Sequence, residues 1–171
     1  TNLTIAYRAD GKRAWKQTTG NPASRKYFVY DGPDLVSEFQ DLALYYPQVY
    51  HYGPDGLSWS DVDNRTTLRF YLFTPQGSLV QHWDDSLNLE KAVIYDAYGQ
   101  VRYSSSSSLP PFGYVGQWGV YSDPETKSAS DNTPLPLMGV RFYDPITGRF
   151  LARDPIEDGL NWYSYANGNP V

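Results

Sequence analysis

The side chains that could carry out chemistry are mostly carboxylates, because the 171-residue chain has 19 Asp and Glu residues, two histidines and no cysteine. Two carboxylates at a suitable separation can act as acid and base, as in glycoside hydrolysis. Asp84 and Asp85 are adjacent in the sequence, and adjacent residues of a strand point to opposite faces of the sheet. We therefore expect this pair to lie in a turn rather than to form a glycosidase site.

The two histidines, His51 and His82, have no cysteine or further histidine at the spacing of a metal site. The sequence also lacks a phosphate-binding loop and the Gly-x-Ser-x-Gly pattern of serine hydrolases. These features predict no metal site and no bound cofactor.

Aromatic residues are the other group that could bind a ligand, with 16 Tyr, 7 Phe and 5 Trp. Exposed rings on a sheet could stack against sugars, whereas packed tyrosines place their rings across neighbouring hairpins. The tyrosines follow the phase of a sequence repeat, which favours packing. Glycan binding stays open as an alternative.

The composition excludes several classes of protein. The aromatic content argues against a disordered chain, and the 14 Gly and 13 Pro residues argue against a helical bundle. The net charge of −5 argues against nucleic acid as a partner. No apolar run approaches the roughly 20 residues of a membrane span. The chain begins with Thr1 rather than Met, which suggests a fragment or a processed product.

A repeat with a period of 21 to 23 residues organises the first hundred residues. Each copy has an aromatic residue, three turn-forming residues and a fifth position that is usually Gly. The five copies run from Tyr7, Tyr30, Tyr52, Phe73 and Tyr95 to Gly11, Asp34, Gly56, Gly77 and Gly99. Asp tolerates a positive φ, so we expect Asp34 to replace the turn glycine in its copy.

Sequence typical of β-strands flanks each turn, as in residues 26–30, 68–73 and 79–83. The predicted unit is therefore a strand, a tight turn and a second strand. A single hairpin cannot bury its own face, so neighbouring hairpins must pair side by side. The predicted fold is all-β, with a curved antiparallel sheet that gains one hairpin per repeat.

The loss of the repeat near residue 103 predicts three parts. Residues 1–103 form the hairpin repeats, residues 104–111 form a Ser/Pro linker or loop, and residues 112–171 form a second domain. Within that domain, residues 127–136 are polar and contain proline, which predicts an exposed loop. Residues 141–150 predict a strand, a turn and another strand.

Several motifs resemble those of one known family. The Tyr-Asp-x-x-Gly turns resemble YD repeats, also called Rhs repeats. Residues 112–171 resemble the Rhs repeat-associated core domain. The motifs that carry this second likeness are GYVGQ at 113–117, VRFYDPITGRFL at 140–151, RDPI at 153–156 and NWYSYANGNPV at 161–171.

The resemblance implies an architecture and a structural role. Family members include bacterial polymorphic toxins, the C components of insecticidal toxin complexes and animal teneurins. In them the hairpins spiral into a hollow β shell, the core domain closes one end as a plug, and the shell holds an unfolded C-terminal toxin. For this chain, the resemblance implies a shell or capping segment of an exported bacterial protein. Five repeats are too few to close such a shell, so the expected partner is the flanking sequence, or cargo, of a longer parent.

In many relatives the core domain is also an aspartyl-type autoprotease. The resemblance places the catalytic Arg of that family at Arg141 and one catalytic Asp at Asp154. The second Asp of relatives falls beyond Val171. We therefore expect a structural ion pair in this chain and self-cleavage only in a longer parent.

Two other functions remain open. A self-assembling extracellular fibre or homo-oligomer would form if the open sheet edges paired with other chains. A cell-surface adhesion module would bind glycans. All of these interpretations predict a secreted or cell-surface bacterial protein without a membrane-spanning segment and without a nucleic-acid partner.

Overall fold

The computed structural model describes residues 3–40, 43–62, 67–127, 133–157 and 161–170. Strands dominate these residues, with three short 3₁₀ turns at Pro22–Ser24, Gly116–Trp118 and Ala166–Gly168. The strands are β1 Leu3–Tyr7, β2 Arg13–Thr18, β3 Lys26–Asp31, β4 Asp34–Gln40, β5 Ala43–Gly53, β6 Gly56–Val62, β7 Thr67–Phe73, β8 Leu79–Asp84, β9 Leu89–Tyr95, β10 Val101–Ser104, β11 Tyr121–Lys127, β12 Pro134–Met138, β13 Arg141–Asp144 and β14 Arg149–Phe150.

The first ten described strands form one antiparallel sheet in which every strand pairs with its neighbours in the sequence. The second sheet contains β11 to β14, again in sequence order. Neither sheet closes on itself within the described residues. This arrangement confirms the predicted all-β fold, in which each repeat adds a hairpin to a growing sheet.

The repeat glycines allow the tight turns of three hairpins to share one geometry. Gly11, Gly77 and Gly99 have φ values of 79°, 89° and 87°, which only glycine adopts without strain. The backbone N–H of each donates to the carbonyl oxygen three residues earlier, at 3.0, 2.8 and 3.0 Å. A turn followed by a glycine with positive φ is a common hairpin connection.

The turn of the second repeat has a different geometry. The expectation that Asp34 takes the place of the turn glycine is wrong. Gly32 carries the positive φ, at 52°. Asp34 instead begins β4 and pairs directly with Asp31 of β3. The loop is therefore only Gly32 and Pro33, and glycine at the first position of a two-residue loop is typical of a type II′ turn.

The exposed loop expected at residues 127–136 is wrong at both of its ends, and residues 128–132 lie outside the described residues. β11 continues to Lys127 and β12 already begins at Pro134. Proline removes a backbone donor, so it is tolerated where a strand lacks a partner on one side. β12 pairs with β13 only through Leu137 and Met138, which leaves Pro134 and Pro136 at an edge.

Two aromatic clusters form the core, and both join the repeats to the C-terminal part of the chain. The larger cluster consists of Phe28, Leu35, Tyr50 and Leu57 from the repeats with Phe112 and Tyr121. The smaller one consists of Tyr114, Tyr143 and Phe150. Four of the five repeat aromatics, Tyr30, Tyr52, Phe73 and Tyr95, pack against these clusters.

Candidate functional site

Arg141 and Asp154, the residues that the family resemblance selected, form an ion pair. Arg141 Nη1 lies 3.0 Å from Asp154 Oδ2, and both side chains are about one-fifth exposed, at 19% and 23%. The guanidinium stacks on the ring of Phe150 at 3.8 Å. Strand β13 therefore supplies the Arg, and the turn after β14 supplies the Asp.

The backbone around Asp154 fixes the direction of its carboxylate. Oδ1 accepts a hydrogen bond from the N–H of Ile156 at 2.9 Å, and the N–H of Asp154 donates to the carbonyl of Trp162 at 3.0 Å. An aspartyl dyad needs two carboxylates that share a proton. This pair supplies one carboxylate and one cation, so it could orient or polarise a peptide but does not make up the dyad.

Residues 112–119, here called the cap segment, lie across the turn ends of the hairpins. The carbonyl of Gly113 accepts a hydrogen bond from the N–H of Leu79, and the N–H of Gln117 donates to the carbonyl of Gly77, both at 3.0 Å. The side-chain amide of Gln117 donates to the carbonyl of Asp55 at 2.5 Å. The cap segment is thus attached to two consecutive hairpins, by backbone bonds to the β7–β8 hairpin and by a side-chain bond to the β5–β6 hairpin.

Three repeat glycines leave the space that the cap segment fills. A β-carbon at any of these positions would overlap an atom of the cap segment. Glycine is therefore required here for close approach as well as for its φ value. The turn glycines Gly56, Gly77 and Gly99 are covered by Gln117, Trp118 and Tyr114, respectively.

A buried charge cluster lies between β2 and β11. The Asp123 carboxylate is held by Arg13, with Nη1–Oδ1 at 2.9 Å and Nη2–Oδ2 at 2.7 Å. Lys16 Nζ lies 2.5 Å from Asp123 Oδ1 and 2.6 Å from Glu125 Oε2. Asp123 is fully buried, and Arg13 and Lys16 are almost fully buried. Two buried cations thus share one buried carboxylate, and the Glu125 carboxylate, about one-third exposed, balances the remaining charge from the surface.

Aromatic rings and a second polar pair enclose this cluster. The rings of Phe28 and Tyr121 lie within 6.0 Å of both cationic groups. The Tyr121 hydroxyl donates to Glu38 Oε2 at 2.7 Å, and burial together with that carboxylate raises the pKa of Tyr121 well above its usual value. Burial alone would lower the pKa of Arg13, but the charge and the hydrogen bond of Asp123, with smaller contributions from Tyr121 and Tyr30, together outweigh it and the pKa is raised.

No local sequence pattern indicates the charge cluster. Arg13 is 110 residues from Asp123, and Lys16 is 107 residues from it. The one available signal is that Lys16 stands in a strand next to the first turn, where a position on the core face would require a carboxylate partner. The partner itself could not be chosen from the sequence.

The other residues considered from the sequence lie apart from both sites. The Nε2 atom of His51 lies 2.7 Å from Asp61 Oδ2, whereas His82 is buried against Tyr71. Asp84 ends β8 and accepts hydrogen bonds from backbone N–H groups of the following turn, as expected for a turn residue. Among the described residues, no cluster of three His, Asp or Glu side chains could hold a metal ion. None of the described helices is long and apolar enough to cross a membrane.

A meander of Tyr-Gly hairpins with a segment packed over its turn ends is the architecture of a β-shell repeat protein. The family model for the Teneurin YD-shell matches residues 1–171. The chain therefore belongs to the Teneurin YD-shell family, which confirms the resemblance to YD-repeat proteins.

Curated relatives of this chain include toxins and tRNA nucleases. It is 30% identical over 175 residues to the tRNA3(Ser)-specific nuclease WapA of Bacillus spizizenii, covering 98% of this chain and 7% of the relative. It is 29% identical over 174 residues to the double-stranded DNA deaminase toxin A of Burkholderia cenocepacia, covering 87% and 11%. It is 32% identical over 97 residues to the toxin subunit YenC2 of Yersinia entomophaga, covering 51% and 10%. The chain thus spans about a tenth of the length of these proteins.

Solved structures share the fold at lower identity. The crystal structure of TcdB2-TccC3 without its hypervariable C-terminal region matches with a TM-score of 0.65 and 20% identity, covering 98% of this chain and 8% of that one. The Photorhabdus luminescens Tc holotoxin pore matches with a TM-score of 0.52 and 15% identity, covering 99% and 10%.

Proposed function

We propose that this chain is the closing end of a β shell in a longer, exported bacterial toxin protein. Residues 1–103 would form part of the shell wall, residues 104–111 the connection, and residues 112–171 the plug of the Rhs core type. The shell would enclose or present a cargo encoded beyond this chain. The flanking sequence of the parent is therefore the proposed partner, and delivery outside the bacterium is the proposed location.

The cap segment is the observation that carries this proposal. It covers the glycine turns of three successive hairpins, and the charge cluster joins β11 to the first hairpin. A segment fixed along the turn ends of neighbouring hairpins is suited to close the rim that these turns form. The much greater length of the relatives supports the view that more shell wall belongs to the functional protein.

Protease protection in the full-length gene product tests the proposal. The intact protein would be treated with a protease, and the C-terminal region would be followed with an antibody. We expect this region to survive longer than the same region expressed alone, because the shell wall excludes the protease. Digestion at equal rates would contradict enclosure of the cargo.

We further propose that Arg141 and Asp154 take part in self-cleavage of the longer parent. Their ion pair is partly exposed, and the adjoining turn fixes the Asp154 carboxylate. A second carboxylate from sequence beyond Val171 would complete an acid–base pair, and Arg141 would polarise the scissile carbonyl.

Extension of the gene beyond Val171 tests the self-cleavage proposal. A cleaved band should form in the wild-type protein and disappear in Asp154→Asn. Asp144→Asn is a matched control, because Asp144 also accepts a backbone N–H two residues on, at 3.1 Å, but lies outside the ion pair. A band that survives in Asp154→Asn would overturn the assignment of this residue.

A second candidate function is self-assembly, and the open repeat sheet favours it. Within the described residues, β1 and β10 each pair on one side only. Unpaired strand edges are templates for association with another chain. A fibre or ring of copies would satisfy them.

A further inference from the structure

We propose that Lys16 and Asp123 condense to an intramolecular isopeptide bond that covalently joins β2 of the repeat sheet to β11. Lys16 Nζ lies 2.5 Å from the Asp123 carboxylate, and Glu125 is the next nearest carboxylate, at 2.6 Å. An amine, an acceptor carboxylate and a proton-transfer group are therefore held together before any reaction.

Burial makes this site suitable for condensation. The side chains of Lys16 and Asp123 are 2% and 0% exposed, and Phe28 and Tyr121 present their rings to the amine at 6.0 and 5.4 Å. Burying two opposite charges carries a desolvation penalty. An amide removes both of these charges and leaves Oδ2 as an acceptor for Arg13, although the guanidinium then loses its carboxylate partner. Fixed positions remove most of the entropic cost of bringing the two groups together.

The proposed step conserves atoms and protons. Glu125 transfers a proton from the Lys16 ammonium to Oδ1 of Asp123, and the neutral Nζ attacks Cγ of the resulting carboxylic acid to form the new C–N bond. Arg13 Nη2, 2.7 Å from Oδ2, stabilises the negative charge on that oxygen in the tetrahedral intermediate. Glu125 then transfers a second proton from nitrogen to Oδ1, and the C–Oδ1 bond breaks to release water. Of the three ammonium protons, one stays on the amide nitrogen and two leave in the water.

Such a bond would attach β11, which follows the cap segment, to the first hairpin irreversibly. It would close a loop of more than a hundred residues, since 107 positions separate its ends. Cross-links that close long loops restrict the unfolded chain most strongly in the chain-entropy model. This inference concerns a covalent modification and does not depend on the proposed cargo or on self-cleavage.

Intact mass spectrometry of the purified, denatured chain tests the proposal. We expect a mass lower than that of the sequence by one water molecule. After trypsin digestion, the peptides that contain Lys16 and Asp123 should remain joined, and cleavage after Lys16 should be blocked. A folded wild-type chain with the full sequence mass after prolonged incubation would overturn the proposal.

Variants separate the roles of the three groups. Glu125→Gln should keep the fold and retain the full mass, because it cannot carry the protons. Asp123→Asn should lose one ammonia instead of one water, which identifies the acceptor even if the reaction is slow. Lys26→Arg is the matched control: Lys26 also pairs with a carboxylate, Glu38, at 3.1 Å, and this variant should still lose water. Loss of water by Lys16→Arg would disprove the assignment of the amine.

Discussion

At the scale of single residues, His82 is a buried base without a hydrogen-bond partner for either ring nitrogen among the described residues. Its ring stacks on Tyr71 at 4.9 Å, and the nearest carboxylate, Glu90, lies 3.5 Å from Nδ1. Burial lowers the pKa of His82 to about 4, Glu90 partly opposes this shift, and Arg69 and Lys91 add to it. The folded protein therefore holds this imidazole neutral at pH 7.

We expect His82 to make the fold sensitive to mild acid. The unfolded chain takes up the proton near pH 6.5, while the folded chain resists it until about pH 4. The contribution of His82 to the free energy of unfolding is therefore fully present above pH 6.5. It is lost as the pH drops toward 4, which lowers the free energy of unfolding by up to about 3 kcal/mol. Urea unfolding at pH 7 and pH 4.5 would measure this difference.

Substitution of the two histidines identifies the source of the acid effect. His82→Gln should reduce the difference between the two pH values, whereas His51→Gln should leave most of it, because His82 is still present. An unchanged pH dependence in His82→Gln would show that other groups cause the loss.

Sequence reasoning could name single residues only where a motif surrounds them. Arg141 and Asp154 stand in contiguous motifs, so both could be selected before their ion pair was known. Arg13 and Asp123 come together only in the folded chain, because a pairing across 110 residues depends on strand register and on the packing of β11 against β2. Their chemistry is therefore visible only in three dimensions.

At the scale of the element, each hairpin turn serves both its own strands and the cap. Gly77 has a φ of 89° and lies beneath the indole of Trp118. Gly20 has a similar φ of 81° but has no atom of another residue near its missing side chain. The two glycines thus differ in packing and hardly in backbone conformation.

This difference predicts a contrast between two substitutions. Gly77→Asn should destabilise the protein by about 1–3 kcal/mol more than Gly20→Asn, because only the first forces the cap segment away. Asn tolerates a positive φ better than most residues, which keeps backbone strain similar in both variants. Urea unfolding of both proteins measures the contrast. Equal destabilisation would show that Gly77 is needed for its φ alone.

The hairpins could be predicted because local chemistry specifies them. An aromatic strand end and a glycine four residues later define the turn without help from the rest of the chain. The error at Asp34 arose because Gly32 supplies the positive φ two residues earlier in a shorter loop. The strand at Pro134–Met138 was missed because proline is excluded only from strands paired on both sides.

At the scale of the whole molecule, the repeat sheet ends in two open edges within the described residues. Tyr103 of β10 is 53% exposed at one of them. We expect the isolated chain to associate as its concentration rises, because unpaired edge strands bind further strands. Light scattering after size-exclusion chromatography would measure the change in mass.

A lysine at the edge should weaken this association. Tyr103→Lys places a charge on β10, and charged edges disfavour pairing. Leu151→Lys is the control, since Leu151 is similarly exposed, at 56%, but lies outside the repeat sheet. A wild-type chain that stays monomeric at high concentration would rule out edge pairing under these conditions.

The sequential order of the strands also determines the order in which contacts can form during synthesis. Each hairpin of the repeat sheet can pair with the preceding one as soon as it leaves the ribosome, because every strand of this sheet pairs with its neighbours in the sequence. The contact between Arg13 and Asp123 is different, since it requires 110 further residues to be made. The contact that joins β11 to the first hairpin can therefore form only after all five hairpins have been synthesised.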